Sequence, residues 1–477
     1  MSWRHCPWTA TTTIIAASDQ QGLPLCPTVP PAELAERFAR EGVRDVECMI
    51  ADVSGYPRGK LVPAASFLAG AELRLPQAIP MQCVTGEYSY DDIFPDADPD
   101  ILLVPDYASV RRAPWAQPGN GGSSRYLALH DCYELTGEPC LFSARMVLKG
   151  VVERFRTLGL TPVVAPEIEF YLTAPCDDPA QPLGMPVSPA GRSEVGQSAF
   201  SLNLLNEQAG FWNEFNAALE TLGIRGDTWI HEVGASQYEI NLLHGDPVDV
   251  ADQAFLFKYA AKEIALRHGL NAVFMAKPIA GQAGSSMHLH QSVVDAGGRN
   301  VFSDADGNAT ETFMHYLGGL QRYLPDLMLV FAPFVNSFRR YVVNSLAPVN
   351  LHWGYDNRTT GLRIPKSPPA ARRIENRIAG ADANPYLAIA ASITAGLAGI
   401  EEKLAPSEPI EGSGYARGHD LAMNFVVAHD ALSSSKSAPR LLGERFVRAY
   451  LAVKGVEYNN FNAEISAWER RFLVPQV

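Results

Sequence analysis

Four short segments each set charged residues on one face and apolar residues on the other, and they limit what this chain can fold into. Val163 to Leu172 reads V-V-A-P-E-I-E-F-Y-L. With the two-residue period of a strand, Glu167 and Glu169 share one face while Ile168, Phe170 and Leu172 share the other. Ile230 to Leu242 offers Glu232 before a kink of small residues, then Gln237, Glu239 and Asn241 on one face. Ser286 to Ser292 sets His288 and His290 opposite Met287 and Leu289, and Arg373 to Ile378 sets Arg373, Glu375 and Arg377 opposite Ile374 and Ile378. One such segment is an ordinary strand with a solvated face. Four of them in one domain, Glu first and then His and Arg, are harder to read that way, and the chemistry follows if their polar faces converge. The five carboxylates would repel in one cavity, and their pKa values would rise unless cations compensate. Carboxylates with an imidazole suit a hard divalent ion such as Mg²⁺ or Mn²⁺ better than a Cys/His zinc site does. The surplus Arg and His suit a polyanion, which suggests nucleotide phosphates. Neither GxxxxGK[ST] nor GxGxxG occurs, so a Walker-type or dinucleotide fold is not supported.

Composition narrows the class. Apolar residues make up 47% of the 477 and charged residues 19%, enough to bury a sizeable core. A net charge of −13 argues against a general nucleic-acid binder and against a protein held by charge on an anionic membrane. No uninterrupted apolar run approaches the ~18 residues of a membrane span. Ile14 to Ala17 is too short for a secretory core. Seven scattered cysteines without a CxxC pair predict reduced thiols in the cytoplasm. Along the chain we expect an N-terminal tail at 1–29, a small mostly-β domain at 30–139 and a large α+β domain from 140 to 477. Apolar spacing predicts helices at Ala32–Arg40, from an N-cap at Ser143 to Leu158, and at Phe211–Leu222, Val250–His268 and Thr312–Tyr323. It predicts two more at Tyr386–Leu404, buried on most sides, and Leu441–Val453.

The segments, in this order, resemble the glutamine synthetase superfamily from about residue 44 to 470. The match includes D-x-x-G-x-x-R-G-K at Asp52 to Lys60, E-x-E-F at Glu167 to Phe170 and H-E…Q-x-E-I at His231 to Ile240. It continues with F-M-x-K-P at Phe274 to Pro278, G-S-S-M-H-L-H at Gly284 to His290 and N-S-F-R-R at Asn336 to Arg340. Asp356 to Arg358, Arg363 to Pro365, Arg373 to Arg377 and Asn384 to Tyr386 complete it. The resemblance implies a β-grasp N-terminal domain followed by an α+β catalytic domain with a curved antiparallel sheet. It implies a homo-oligomer of stacked hexameric rings, with sites shared between neighbours. By resemblance, Glu169, Glu232 and Glu239 hold one Mg²⁺ or Mn²⁺, and Glu167, His288 and Glu375 hold the other. Arg340 and Arg377 resemble the clamp on L-glutamate, beside the Gly284 backbone. His290, Ser292, Arg363 and Arg373 resemble the ATP side, and Arg358 the group that stabilises the transferring phosphoryl. The implied reaction phosphorylates the γ-carboxylate of glutamate with ATP, after which an amine displaces phosphate.

Two departures bear on the amine. Ammonia-using members carry a D-G-S-S segment in the N-terminal domain and a Glu on a flap after N-S-[YF]. Here the first segment reads Ile79 to Gly86, with Cys83 in it and no carboxylate before Glu87, and Leu346 stands where the flap Glu belongs. Ala283 and Ser286 also depart from the Asn and Gly common in those enzymes. The chain therefore resembles the γ-glutamylamide synthetase branch, including γ-glutamylputrescine synthetase and relatives that use monoamines or aromatic amines. The run Ala379 to Tyr386 and the stretch Leu442 to Phe446 resemble that branch as well. Leu346, with Tyr341 and Trp353, is expected to form an apolar amine pocket that favours a hydrophobic or aromatic amine such as aniline. Glu87, Asp91 or Asp92 is the alternative source of charge for a putrescine-type diamine. An ammonia-using enzyme and a non-catalytic member of the fold are the other readings; loss of metal ligands would mark the second, and all six positions are kept.

Overall fold

The computed structural model describes residues 30–89, 93, 97–116, 124–176, 178–196, 198–418 and 420–477. The expected tail at 1–29 and both Asp91 and Asp92 lie outside the described residues. Strand β1 (Val43–Ala51) turns at Ser54-Gly55 into β2 (Pro57–Pro63). Asp52 makes that turn. Its carboxylate accepts from the N–H groups of Ser54 and Tyr56 and from Arg58 Nε, each at 2.9 Å. Gly59 lies flat on the partner strand, where a Cβ would stand 2.9 Å from the Cys48 carbonyl carbon. Strands β3 (Leu73–Pro76), β4 (Asp100–Pro105), β5 (Arg111–Arg112) and β6 (Ser124–Glu134) complete a six-stranded mixed sheet. Its order is β2-β1-β6-β4-β3, with β5 also on β6, and β1 runs parallel to β6.

The second sheet has eight strands. These are β7 (Leu160–Thr173), β8 (Gly226–His231), β9 (Gln237–Leu242), β10 (Asn271–Val273) and β11 (Met287–Asp295), then β12 (Trp353–Tyr355), β13 (Leu362–Ile364) and β14 (Ile374–Asn376). The order is β12-β13-β14-β11-β7-β9-β8, with β10 also on β7. The four charged segments thus fall on adjacent strands, β14-β11-β7-β9-β8. Register sets His288 opposite Glu167, Glu169 opposite Glu239, and His290 opposite Glu375. The other face is core: Ile168, Phe170, Leu172, Met287, Leu289 and Ile374 are at most 1% exposed.

Helices cover the sheet. The expected helix at 250–268 starts earlier, at Pro247, because Asp246 caps it through the N–H groups of Val248 and Asp249. Ser143 does stand at the N-cap of the Ala144–Thr157 helix, but its side chain makes no capping bond. The helix expected at 441–453 is divided: Ala438–Leu442 and Glu444–Ala463 meet at Gly443, whose φ of 98° suits glycine alone. The Pro385–Glu402 helix is buried without a break from Pro385 to Gly399. It meets the Glu311–Tyr323 helix backbone to backbone, since a Cβ on Gly399 would lie 2.5 Å from Gly319 Cα. Asn384 caps the buried helix through the Tyr386 N–H at 2.9 Å and donates to the carbonyls of Asp52 and Val53 at 2.8 and 3.3 Å. The D-x-x-G and N-P-Y stretches are therefore two halves of one joint between the β1–β2 turn and the buried helix. No described helix is long and apolar enough to cross a membrane.

Candidate active site

Alternation on four neighbouring strands delivers one polar surface. Three overlapping groups of ligand atoms, each within 4.8 Å of one another, form on it: Glu169, Glu232 and Glu239; Glu167, Glu239 and His288; and Glu167, His290 and Glu375. The expected set Glu169, Glu232 and Glu239 is one of these groups, whereas Glu167, His288 and Glu375 are not grouped as one: Glu167 and His288 gather with Glu239, and Glu167 and Glu375 gather with His290, a residue expected on the ATP side. His288 Nδ1 stands 3.3 Å from Glu167 Oε2 and 3.7 Å from Glu375 Oε1. Arg373 Nε stands 3.1 Å from His290 Nδ1, and His290 Nε2 stands 2.8 Å from Glu167 Oε1.

The surface has two electrostatic halves. In one, carboxylates face cations. Glu375, with a fully buried side chain, accepts from Arg363 at 2.6 Å and from Arg377. Burial would raise its pKa, but Arg377 and then His290 and His288 hold it at about 2. Glu167 likewise resists burial through hydrogen bonds from His288 and His290 and lies well below the usual carboxylate range. In the other half, Glu169, Glu232 and Glu239 form no ion pair among the described residues. Glu169 accepts from the Ser286 N–H at 2.7 Å and Gln237 Nε2 at 3.4 Å. Burial and then repulsion from Glu232 push it up to about 7. Burial and then Glu169 and Glu167 push Glu239 up to about 10, and burial also raises Glu232. A trio of carboxylates, two buried and one half-buried, with no direct ion pair among the described residues has the chemistry of a hard divalent site.

The arginines are anchored beside this surface. Arg340, 3% exposed, donates to the carbonyls of Ile378 at 2.8 Å and Arg377 at 3.0 Å. Gly284 leaves room for it, since a Cβ there would stand 2.7 Å from Arg340 Cγ and 2.9 Å from the Ala276 carbonyl. Arg377 Nη2 donates to the Leu346 carbonyl at 3.2 Å. Arg363 also bonds Asp356 at 3.2 Å. Arg358 is exposed and close enough to Glu232 to oppose the rise in its pKa. Ser292 follows His288 and His290 on the same face of β11.

The amine-side candidates are dispersed. Cys83 is fully buried; its thiol faces the Val453 carbonyl at 3.8 Å, and burial and then Glu457 push it up to about 11. Glu87 is exposed and accepts from Thr85 at 3.0 Å and from Asn460. Tyr341 and Trp353, expected with Leu346 in an apolar pocket, are core residues instead. The Tyr341 hydroxyl donates to Ile378 and the Trp353 indole to Ser407, at 2.8 and 2.7 Å. Leu346 alone of the three is open, 52% exposed at a φ of 61°. Sequence reading set Gln237 on the polar face without a role. Its amide donates to Gly284 O at 3.0 Å and to Ser285 Oγ at 3.2 Å, joining two site loops. Glu194 was missed, because its loop has no periodicity to read.

Comparison with known proteins identifies the family. The family description "Glutamine synthetase, catalytic domain" matches residues 142–473. The chain is 33% identical over 430 residues to a glutamate–isopropylamine ligase of a Pseudomonas species, covering 88% of this chain and 92% of that one. It is 32% identical over 435 residues to γ-glutamylputrescine synthetase PuuA of Escherichia coli K12, covering 90% and 91%. A solved GmaS–ADP complex superposes with a TM-score of 0.79 at 28% identity, over 93% of this chain and 99% of that one. The family match and these relatives establish that this chain is a ligase of the glutamine synthetase family, on its γ-glutamylamide synthetase branch.

Proposed function

We propose that the chain joins the γ-carboxylate of L-glutamate to a primary amine other than ammonia, with a hydrophobic or aromatic amine favoured over a polyamine. The observation that carries this reading is the flap. Leu346 offers an exposed apolar side chain, while its own carbonyl accepts from Arg377, one of the two arginines assigned to glutamate. A leucine at that edge neither attracts an alkylammonium ion nor takes its proton. At neutral pH only about one alkylamine in a thousand is the free base, whereas an arylamine is already neutral and needs apolar surface more than a general base.

The rest of the surface suits the two-step chemistry. The γ-phosphoryl of ATP passes to a γ-carboxylate oxygen of glutamate, giving an acyl phosphate and ADP. The amine nitrogen then attacks the acyl carbon, phosphate leaves, and the nitrogen loses a proton. Glu169, Glu232 and Glu239 would hold one divalent ion and Glu167, His288 and Glu375 another; when bound, such ions offset charge on the phosphoryl oxygens. Arg358 opposes the same charge from the solvent side, which is electrostatic stabilisation of the transferring group. Arg340 and Arg377 orient glutamate, and His290, Ser292, Arg363 and Arg373 face ATP.

The test is an amine panel. Phosphate release is followed with glutamate, ATP and Mg²⁺ held constant, using ammonium, aniline, benzylamine, isopropylamine, ethanolamine and putrescine at equal concentration. We expect weak use of ammonium and the highest kcat/KM with a hydrophobic or aromatic amine. Putrescine ahead by tenfold or more would overturn the ordering. Ammonium ahead of every organic amine would make the chain a glutamine synthetase in the strict sense.

A further inference from the structure

The turn that carries Glu232 is closed at its base by backbone bonds, from the Glu232 N–H to the Gln237 carbonyl at 2.8 Å and from the Gln237 N–H to the Gly234 carbonyl at 3.1 Å, but the N–H groups along its tip depend on side chains. Between β8 and β9, the N–H groups of Val233, Gly234, Ala235 and Ser236 each go to a side chain. The acceptors are Glu232 at 3.1 Å, Gln237 at 2.9 Å, Gln282 at 3.2 Å and Glu194 at 2.8 Å. Ser236 sits at a φ of 55°, which a residue with a Cβ disfavours. Three of those acceptors belong to the turn, to β9 or to the loop before Gly284. Glu194 comes from elsewhere, the excursion between β7 and β8, where a bridge between Val187 and Ser193 precedes it.

Glu194 also holds the other end of the turn. The Oε2 that accepts from Ser236 stands 3.1 Å from His231 Nε2, while His231 Nδ1 faces the Glu232 carbonyl at 2.9 Å. The His231 side chain is fully buried and that of Glu194 is 12% exposed. The same excursion returns to the strand end once more, where the Phe200 N–H donates to the His231 carbonyl at 2.8 Å. One carboxylate oxygen therefore ties the residue before Glu232 to the residue that closes its turn.

We infer that Glu194 is a positioning residue for the divalent-cation site, fixing the 232–236 turn so that the Glu232 carboxylate stays beside Glu169 and Glu239. The inference rests on the proposed role of Glu232 as a metal ligand. Glu194 acts through the Ser236 backbone and the His231 ring, as the supporting partners of metal ligands generally do.

The experiment measures Mn²⁺ binding to the full chain by electron paramagnetic resonance, without nucleotide or glutamate. Wild type is compared with Glu232→Gln, Glu194→Ala and the double variant. Glu232→Gln should lose one class of Mn²⁺ sites. Glu194→Ala should weaken that class by about tenfold or more, the scale seen when partners of metal ligands are removed. Adding Glu194→Ala to Glu232→Gln should change nothing further, which a general loss of stability would not reproduce. Wild-type Mn²⁺ binding by Glu194→Ala, with a site class lost in Glu232→Gln, would overturn the inference and leave the metal reading standing. Wild-type binding by both would sink the metal reading itself. If Glu194→Ala does not fold, Glu194→Gln decides: a neutral acceptor makes weaker hydrogen bonds than a carboxylate, so at least threefold weaker binding is expected. Wild-type affinity in that variant would overturn the inference.

Discussion

Glu239 destabilises the metal-free protein, and replacing it with Gln should make that protein more stable. The side chain is 7% exposed and faces Glu169 across the β7–β9 pair. Its pKa stands at about 10, against an ordinary value of 4.5 in the unfolded chain. The sign follows from linkage. A carboxyl raised on folding stabilises fully below its unfolded pKa, and that stability is lost as pH rises towards the folded value. At about 1.4 kcal/mol per pH unit, the interval from 4.5 to neutral pH corresponds to about 3 kcal/mol. Gln carries no such cost, so Glu239→Gln should gain up to ~3 kcal/mol at pH 7. The gain should shrink towards zero near pH 4.5. Glu169, at about 7, adds the same sign over its narrower interval, while Glu167 and Glu375 act oppositely, losing their stabilisation as pH falls below 4.5. The assay is urea unfolding with a chelator from pH 5 to 8, repeated with saturating Mg²⁺. Mg²⁺ should stabilise wild type increasingly as pH rises, because the ion displaces protons. It should stabilise Glu239→Gln less and with a weaker pH dependence, through the ligand set that the substitution leaves intact. A variant less stable than wild type at pH 7 in chelator, or a difference that does not grow with pH, would refute the reasoning.

Arg340→Ala and Arg377→Ala should raise KM for glutamate by the equivalent of about 2–5 kcal/mol. Gly284→Ala should do so more mildly, because its Cβ meets Arg340 Cγ at 2.7 Å. Steady-state kinetics with each substrate varied checks this, and movement of the amine KM alone would move the glutamate clamp elsewhere. Leu346→Glu should shift preference towards putrescine and ethanolamine in the amine panel, since it places a carboxylate at the flap edge. No shift would mean that Leu346 does not face the amine.

The sequence by itself determined which residues share a face. A strand points successive side chains to opposite sides whatever surrounds it, so Glu167 with Glu169, and His288 with His290, were legible locally. The buried character of the Pro385–Glu402 helix was legible for the same reason, from apolar residues on most of its sides. Strand order and register were not legible, because pairing joins segments far apart in the chain. Only the tertiary structure set Glu375 between Arg363 and Arg377 and left the Glu169–Glu232–Glu239 trio without an ion pair among the described residues, dividing one polar surface into unequal halves. It likewise put Tyr341 and Trp353 into the core while turning Leu346 outward, an outcome of packing that no pattern around those residues encodes. Glu194 shows the limit most plainly: an isolated carboxylate in an aperiodic loop takes its meaning from His231 and Ser236, which only folding brings within reach.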